Sequence, residues 1–261
     1  MRILLTNDDG IYAPGLAALE KSLRQLGEVF VVAPLREQSG VGHAITFLTP
    51  LQVKQIYVDS KPWGWAVAGT PTDCVKLAIS AILPEPPDLI VSGINDGHNA
   101  GVNVHYSGTV GAAIEGAFYG ITSVAVSLKH EENAPVHLAA DLAVGIIGKI
   151  LAQNPEPGRL YNINIPLTAL RNDAPEVRVV PMALSHYWES YERRIDTMGR
   201  DYYWFSGRPD PRQPIKEVPN CLTDLDALSQ GYIAVTPLDF EVTDKRGMQE
   251  MADWDLNPKT R

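Results

Sequence analysis

The 261-residue chain lacks the features that mark several common classes of protein. It has two cysteines, Cys74 and Cys221, which fit no disulfide framework or cysteine metal site, and we expect both thiols to be reduced. No apolar run approaches the length of a membrane span, and the apolar stretch before Thr6 is too short for a signal-peptide core. These absences predict a cytoplasmic protein without a membrane partner.

Basic residues are in the minority, since 22 Lys and Arg stand against 31 Asp and Glu, for a net charge of −9. This balance argues against a nucleic-acid polymer as the main partner, because such a polyanion would be repelled. A small phosphate ester stays compatible with the charge, since a bound cation can neutralise it. The chain also lacks the Gly-x-Ser-x-Gly turn of many serine hydrolases and, after its first predicted strand, the glycine pattern that binds dinucleotides.

Short apolar runs with strand character alternate with helical patterns up to about residue 170. Leu16, Leu19, Leu23 and Leu26, for example, are three or four positions apart and therefore share one helix face. The predicted strands are 1–5, 29–33, 63–67, 88–92, 121–128 and 160–165, and the predicted helices are 16–26, 71–83, 109–119 and 135–151. This alternation predicts an α/β fold, Rossmann-like, with a doubly wound and mostly parallel sheet.

The pattern changes near residue 170, which predicts a Rossmann-like catalytic core at 1–170 and a C-terminal extension at 171–261. Strand-like runs at 177–180 and 232–236 predict that part of the extension returns to the core. Aromatic residues crowd the stretch from 187 to 205, namely Tyr187, Trp188, Tyr191, Tyr202, Tyr203, Trp204 and Phe205. Hairpins used for oligomerisation are favoured over base stacking here, because aromatic clusters usually serve burial at interfaces or in cores.

Residues 4–10, Leu-Leu-Thr-Asn-Asp-Asp-Gly, are the most informative stretch of the chain. An apolar run that suits a buried parallel strand ends here in two adjacent carboxylates, Asp8 and Asp9. Ligands of open α/β sheets bind just outside such strand ends, and paired carboxylates suit a hard divalent cation. Asp9 alone can also cap the following helix, but a cap needs one Asp and leaves the second unexplained.

Two further segments place oxygen-bearing side chains after predicted strands. Ser39 lies in the segment 36–42, and Asn95 lies in the glycine- and asparagine-rich stretch 93–108. A doubly wound sheet brings such segments to one edge, so these two residues can join Asp8 and Asp9 around one cation. Oxygen ligands favour Mg²⁺ or Mn²⁺ over zinc, which prefers His or Cys.

The stretch Tyr-Ser-Gly-Thr-Val-Gly at 106–111 lies at the predicted start of a helix. Backbone N–H groups at such a start, together with the hydroxyls of Ser107 and Thr109, suit the oxygens of a phosphate. Either hydroxyl can also simply cap the helix, and the two roles are compatible. Among six histidines, His43, His98 and His105 lie in candidate segments, although an ordinary loop or surface role is favoured for each over proton transfer.

Five stretches taken together resemble the SurE family, also called stationary-phase survival protein E, whose members are metal-dependent 5′-nucleotidases. They follow the family order and span the first half of the chain, whereas the C-terminal half carries weaker marks. The stretches are Ile-Leu-Leu-Thr-Asn-Asp-Asp-Gly (3–10), Ala-Pro-Leu-Arg-Glu-Gln-Ser-Gly (33–40), Gly-Thr-Pro-Thr-Asp-Cys-Val (69–75), Ser-Gly-Ile-Asn-Asp-Gly-His-Asn (92–99) and Tyr-Ser-Gly-Thr-Val-Gly-Ala-Ala-Ile-Glu-Gly (106–116).

The resemblance implies one divalent metal ion per subunit, Mg²⁺ or Mn²⁺, and a phosphate site beside it. The implied metal ligands are Asp8, Asp9, Ser39 and Asn95, and the implied phosphate contacts are Gly40, Asn99, Ser107, Gly108 and Thr109. It further implies hydrolysis of nucleoside 5′-monophosphates, often with wider phosphatase activity that extends to 3′-nucleotides or short polyphosphate. Members assemble as homodimers or homotetramers in which C-terminal segments reach across to a neighbour.

Several interpretations stay open at the level of sequence. Asp8 or Asp9 can act as a metal ligand beside an activated water, or instead as a base or nucleophile. A phosphoryl-accepting receiver domain also places an acidic pair after its first strand, and Lys129 suits its lysine, but no convincing acceptor Asp follows the third strand. A metal-dependent nucleotide-binding protein without catalysis is the third alternative.

Overall fold

The structure, a computed structural model, describes residues 1–184, 190–205, 221–254 and Leu256. Its strands are β1 Arg2–Thr6, β2 Glu28–Pro34, β3 Val53–Val58, β4 Lys61–Val67, β5 Leu89–Asp96, β6 Ser123–Leu128, β7 Leu160–Ile165, β8 Val177–Val179, β9 Tyr191–Ile195, β10 Asp201–Phe205 and β11 Ile233–Leu238. Its α-helices are α1 Pro14–Leu23, α2 Pro71–Leu77, α3 Gly108–Phe118, α4 Val136–Leu151, α5 Asp224–Ser229 and α6 Lys245–Met251. Ala78–Ile82 extends α2 as a π-helix, and Gly101–His105 and Leu167–Arg171 are 3₁₀ turns.

One nine-stranded sheet, in the order β3-β4-β2-β1-β5-β6-β7-β11-β8, organises the described residues. From β4 to β7 in this order the strands are parallel, whereas β3 and β11 run antiparallel to β4 and β7. After β1 the chain adds β2 and β4 on one side and then crosses to place β5 on the other side of β1. This reversal opens a crevice between the carboxyl ends of β1 and β5, where open α/β sheets bind ligands. The predicted fold class is confirmed.

Helices cover both faces of the sheet because β1 is apolar on both of its faces. Ile3 and Leu5 join the core formed with α1 and α4, whereas Leu4 joins a second core formed with α2 and α3. Side chains of a strand alternate between faces, so one short apolar run supplies both cores. The central strand is therefore fixed from above and below, and the segment that leaves it starts from a defined position.

The start of α2 follows the prediction made from sequence. Thr70 is the N-cap, and its side chain accepts the backbone N–H of Asp73 at 3.0 Å. The Asp73 carboxylate accepts the N–H of Thr70 in return at 2.9 Å, which completes a capping box, and Pro71 occupies the first helical position. The carboxylate of Asp73 also accepts the N–H of Thr46, so the same residue fixes the loop after β2.

Two features of the sheet differ from the sequence predictions. The predicted strand 88–92 was too short, because β5 continues to Asp96 and Asn95 lies on a strand. Its register against β6 shifts between Ser92 and Asn95, and Gly93 has a φ of 142°, a conformation that favours glycine. Strand β3 was not predicted, because it is an exposed edge strand in which Ile56 alone is buried.

The C-terminal extension contributes to the sheet and also forms a separate hairpin. β11 and β8 complete one edge of the large sheet, while β9 and β10 pair antiparallel and are exposed along their whole length. The aromatic residues Tyr191, Tyr203, Trp204 and Phe205 are exposed on this hairpin, and Tyr187 and Trp188 lie outside the described residues. Hairpin strands are therefore present as predicted. No helix in the described part of the chain combines the length and apolar character of a membrane span.

A buried carboxylate ties the extension to the glycine- and asparagine-rich stretch. Asp224, at the start of α5, is fully buried and accepts three backbone N–H groups. Its Oδ1 accepts from Ala183 at 2.9 Å and from Leu225 at 2.8 Å, and its Oδ2 accepts from Gly101 at 2.8 Å. Buried N–H groups need such partners, so the position of the Gly101 turn depends on this side chain.

We predict that Asp224→Asn destabilises the protein by about 1–3 kcal/mol, because the amide nitrogen would face an N–H donor in a buried site. The melting temperature should fall by roughly 2–4 °C for each kcal/mol in a chain of this size. Asp239→Asn is the matched control, since Asp239 accepts the N–H of Glu241 at 2.9 Å on the exposed surface. Equal melting temperatures for the two variants would contradict the prediction.

Candidate active site

A tight turn after β1 presents the two adjacent carboxylates at the crevice. The Asn7 side chain closes this turn, since its Oδ1 accepts the N–H of Gly10 at 3.2 Å and its Nδ2 donates to the Gly10 carbonyl at 3.0 Å. Asn7 is fully buried, so its amide is protected from competition with water. Asp8 and Asp9 are thereby held at the end of the central strand, where the crevice between β1 and β5 opens.

Asp8 faces the N-terminus of α3. Its Oδ2 accepts the backbone N–H of Thr109 at 3.0 Å, and its Oδ1 accepts the Thr109 hydroxyl. Only 3% of Asp8 is exposed, and this burial raises the pKa of its carboxyl above the ordinary value, although the hydrogen bonds from Thr109 act in the opposite direction. The helix N-terminus thus holds an anionic group, as expected from its free N–H groups and dipole.

The close approach of α3 to Asp8 requires a glycine at position 108. A Cβ atom built on Gly108 would lie 2.9 Å from the Asp8 Cβ and 3.1 Å from its Oδ2. It would also lie 3.1 Å from a methyl carbon of Val41, in the loop after β2. Any larger residue would therefore push the carboxylate and the helix apart. The predicted phosphate residue Gly108 is in this way part of the packing around Asp8.

Asp9 is half-buried and lies closer to the end of β5. Its Oδ2 accepts the backbone N–H of Asp96 at 3.2 Å. Burial raises the pKa of Asp9 to about 7, and the charges of Asp8, Asp96 and Glu37 add to this effect. Neither Asp8 nor Asp9 forms a salt bridge with any residue that the structure describes. Among these residues, therefore, no cationic side chain stabilises the ionised form of either carboxylate.

These features fit a divalent cation. Two adjacent carboxylates of limited exposure, one with a strongly raised pKa, form a donor set that a hard cation would neutralise. Within the described ranges, no three His, Cys, Asp or Glu side chains cluster as a metal site, so the remaining ligands of such an ion would be hydroxyl, amide or water oxygens. Asp8 and Asp9 would be its charged ligands.

The loop after β2 reaches the aspartate turn through its backbone. Gln38 donates its N–H to the Asp8 carbonyl at 2.7 Å, which places the neighbouring Ser39 and Gly40 beside the site. Ser39 is exposed, and its hydroxyl donates to the Glu37 carboxylate at 2.7 Å. Gly40 has a φ of 72° and is exposed. The structure thus brings this loop to the site, while the Ser39 hydroxyl points to Glu37.

Asn95 and Asn99 occupy different surroundings. Asn95 lies beside Asp9 at the end of β5, and its Nδ2 donates to the Gly97 carbonyl at 2.7 Å. Asn99 is buried, and its Nδ2 donates to the Ser127 hydroxyl at 2.9 Å. The backbone of Asn99 is held by Asn162 and Asn164 of β7, with hydrogen bonds between 2.7 and 3.0 Å. Asn99 is therefore an anchor of its loop, and its contact with phosphate stays a prediction.

Ser107 is the N-cap of α3, which is the capping role that the sequence analysis gave as an alternative to phosphate binding. Its hydroxyl accepts the Val110 N–H at 3.1 Å, and 5% of the residue is exposed. Thr109 directs both its N–H and its hydroxyl to Asp8. Ser107, Gly108 and Thr109 thus lie together at the helix N-terminus next to Asp8, although their contact with a phosphate stays a prediction.

Two histidines of the candidate segments, His43 and His98, have structural partners. His43 is 2.8 Å from the Glu115 carboxylate, and His98 is 2.9 Å from the Ile165 carbonyl, with burial lowering the pKa of His98. His130, which sequence reasoning did not select, is 2.8 Å from the Asp96 carboxylate and lines a cavity with Asp9. The sequence signal for His130 was its place directly after the predicted strand 121–128, at the same edge of the sheet.

Comparisons with known proteins agree with this geometry. The family model of survival protein SurE matches residues 3–189. A protein of Rhodopirellula baltica named 5′-nucleotidase SurE is 52% identical over 259 residues, which cover 99% of this chain and 100% of the relative. A protein of the same name from Heliobacterium modesticaldum is 41% identical over 255 residues, covering 97% of this chain and 92% of the relative.

A solved structure gives the same result for the fold. The crystal structure of SurE protein from Aquifex aeolicus superposes with a TM-score of 0.80 and 37% sequence identity. The match covers 96% of this chain and 98% of the Aquifex chain, so it includes the C-terminal extension as well as the core. The resemblance recognised in the five sequence stretches is confirmed, and the chain belongs to the SurE family.

Proposed function

We propose that this protein is a divalent-metal-dependent phosphomonoesterase that hydrolyses nucleoside 5′-monophosphates to nucleoside and phosphate. The observation that carries the proposal is the pairing of Asp8 and Asp9 at the switch-point crevice, with the N-terminus of α3 directed at Asp8. The name 5′-nucleotidase, shared by relatives that align over nearly the full chain, supports the reaction. Mg²⁺ or Mn²⁺, one per subunit, is the proposed ion, and 3′-nucleotides and short polyphosphate are proposed secondary substrates.

The residues have separate tasks in this proposal. Asp8, Asp9, Ser39 and Asn95 would hold the cation, which would neutralise charge on the phosphate and make a water molecule more acidic. The hydroxyl and N–H of Thr109 orient the Asp8 carboxylate, and the Asp96 N–H orients that of Asp9. The start of α3, with Ser107, Gly108 and Thr109, lies next to this pair and is the proposed contact for phosphate oxygens. The N–H groups of Ser107 and Thr109 donate to the Asn103 carbonyl and the Asp8 carboxylate, so a phosphate there would compete with Asp8 for the helix N-terminus.

We further propose a homodimer or homotetramer in the cytoplasm, with the extension at 171–261 serving partly as the oligomerisation region. The exposed aromatic side chains of the β9–β10 hairpin support this assignment, because such side chains are favoured at subunit interfaces. Size-exclusion chromatography with light scattering tests the proposal directly. A monomer at micromolar concentration would contradict it.

The central test is phosphate release from AMP and UMP with Mg²⁺ or Mn²⁺, with and without EDTA. We expect Asp9→Asn to lower turnover at least about 100-fold, a loss typical of removing a group that stabilises transition-state charge. Asp88→Asn is the matched control. Asp88 lies just before β5, at the amino ends of the central strands and therefore at the other end of the strands from the site, where it accepts the Arg2 N–H. Turnover that survives both EDTA and Asp9→Asn would exclude the proposed mechanism.

A second test separates phosphate binding by Ser107 from helix capping. Ser107→Ala and Thr223→Ala each remove an N-cap, at α3 and α5, so each should lose about 1 kcal/mol of stability. Only Ser107→Ala should also raise KM for AMP, because only α3 begins at the proposed phosphate site. Steady-state kinetics and thermal unfolding measure the two effects. An identical KM for both variants would leave Ser107 with capping alone.

A third test uses the pH dependence of stability without metal. The folded-state pKa of Asp9, about 7, lies above the ordinary value of 3.8 for an aspartate, so ionisation of this group lowers the stability of the protein as pH rises from about 4 to about 7. Asp9→Asn abolishes this loss, and we expect the metal-free variant to melt at a higher temperature than the parent at pH 8, with a smaller difference at pH 5. A variant that melts lower at pH 8 would refute the raised pKa.

A further inference from the structure

A buried carboxylate outside the aspartate pair joins three elements around the candidate site. Glu115 lies on α3, and 4% of the residue is exposed. Its Oε1 accepts a hydrogen bond from the Lys76 ammonium of α2 at 2.9 Å, and its Oε2 is 2.8 Å from Nε2 of His43, in the loop after β2. Because an ionised carboxylate can only accept, Nε2 is the donor, and each oxygen of Glu115 has a partner.

The partners of Glu115 keep it ionised in spite of its burial. Burial raises the pKa of the Glu115 carboxyl, but the hydrogen bonds from His43 and Lys76 and the charge of Lys76 outweigh it and lower the pKa below its ordinary value. A buried ion pair adds little net stability, because taking the charges out of water costs about as much as their attraction returns. The cluster is therefore better explained by the geometry that it imposes on its three elements.

The loop after β2 is attached on both sides of its tip, residues 39–41. On one side, Gln38 donates its N–H to the Asp8 carbonyl at 2.7 Å. On the other side, Gly42 donates its N–H to the Tyr106 carbonyl, just before α3, at 2.9 Å. A short span of chain has few conformations once both of its ends are held. The tip, which carries two of the proposed site residues, therefore lies where these two attachments place it.

The second attachment depends on a close contact between the loop and α3. A Cβ atom built on Gly111 would lie 2.6 Å from the Gly42 carbonyl oxygen and 3.0 Å from the Cα of His43, so this approach requires a glycine. The His43 ring packs against Phe118, with ring centroids 5.2 Å apart, and reaches Glu115 from this position. The helix whose N-terminus holds one carboxylate of the aspartate pair thus also holds the loop.

We infer that Glu115 is a positioning residue of the proposed metal site, acting through His43 on the loop that carries Ser39. The inference rests on the proposed function, because Ser39 is a metal ligand only in that proposal. Ser39 is exposed, and its hydroxyl donates to Glu37 within the loop, so its place relative to the aspartate pair is set by the attachments of the loop. Residues that orient a ligand in this way change metal affinity without touching the ion.

Calorimetric titration of the metal-free protein with Mn²⁺ tests the inference without relying on turnover. Glu115→Gln keeps the shape of the side chain but turns an amide N–H₂ group toward one of the two donors, and we expect Mn²⁺ affinity to fall about tenfold. Glu20→Gln is the matched control, since Glu20 is 7% exposed and accepts from Arg24 at 2.6 Å on α1. Thermal unfolding verifies that each variant is folded. Equal Mn²⁺ affinity in the parent and in Glu115→Gln would overturn the inference.

Variants of the two partners separate positioning from a general loss of stability. His43→Ala frees the loop and leaves Lys76 bound to Glu115, whereas Lys76→Met leaves the loop attached. We expect His43→Ala to weaken Mn²⁺ binding as much as Glu115→Gln, and His43→Gln to stay closer to the parent because its Nε2 also donates. The double variant of His43→Ala and Glu115→Gln should bind as well as either single variant, because both remove the same contact. Additive losses, or an equal loss in Lys76→Met, would contradict the positioning role.

Turnover of AMP separates this inference from the proposed function. Glu115→Gln should need about tenfold more Mn²⁺ than the parent for half-maximal phosphate release, in line with its weaker binding of the ion. A parent that neither binds Mn²⁺ nor releases phosphate refutes the proposed function and this inference with it. A parent that does both, with unchanged Mn²⁺ affinity in Glu115→Gln and His43→Ala, refutes the positioning role alone.

Discussion

The burial of two neighbouring carboxylates at the end of β1 is the constraint on which the rest of the site depends. Asp8 and Asp9 follow a strand that is buried on both faces, and neither can move away without breaking the turn that Asn7 closes. The raised pKa of Asp9 records how unfavourable its charged form is in this place. A fold that keeps such a pair gives up stability for a strong attraction to a cation, the usual compromise at functional sites.

The sequence predicts this constraint well because the information is local. A short apolar run, an acidic pair and a glycine are visible in residues 4–10, and the alternation of strands and helices predicts which strand ends meet. Contacts between distant residues are less accessible to such reasoning. The anchoring of Asn99 by Asn162 and Asn164 joins positions 63 and 65 residues apart, and no local pattern indicates it. Strand β3 escaped prediction because it is exposed to solvent and lacks the apolar pattern of a buried strand. The full length of β5 escaped prediction because Gly93 interrupts its apolar pattern.

The turn after β1 divides the site into two compartments. Asp8 meets the N-terminus of α3, and Asp9 lies beside a cavity lined by residues at the starts of α1 and α4. One strand end therefore reaches a helix N-terminus suited to an anion and a partly apolar cavity suited to an organic group. A single cation between the two carboxylates would lie where both compartments meet. Substrate binding and reaction would then take place at one point of the sheet, without a separate binding domain.

The extension that the sequence pattern predicts at 171–261 is joined to the predicted core by specific contacts. Asp224 of the extension accepts the N–H of Gly101, only two positions after Asn99, and β11 pairs with β7, the strand whose asparagines hold Asn99. The glycine- and asparagine-rich stretch is therefore fixed from both sides by residues far along the chain. Loss of packing in the extension would loosen this stretch before it affected β1, because β1 is buried at the centre of the sheet and the stretch depends on a few buried hydrogen bonds.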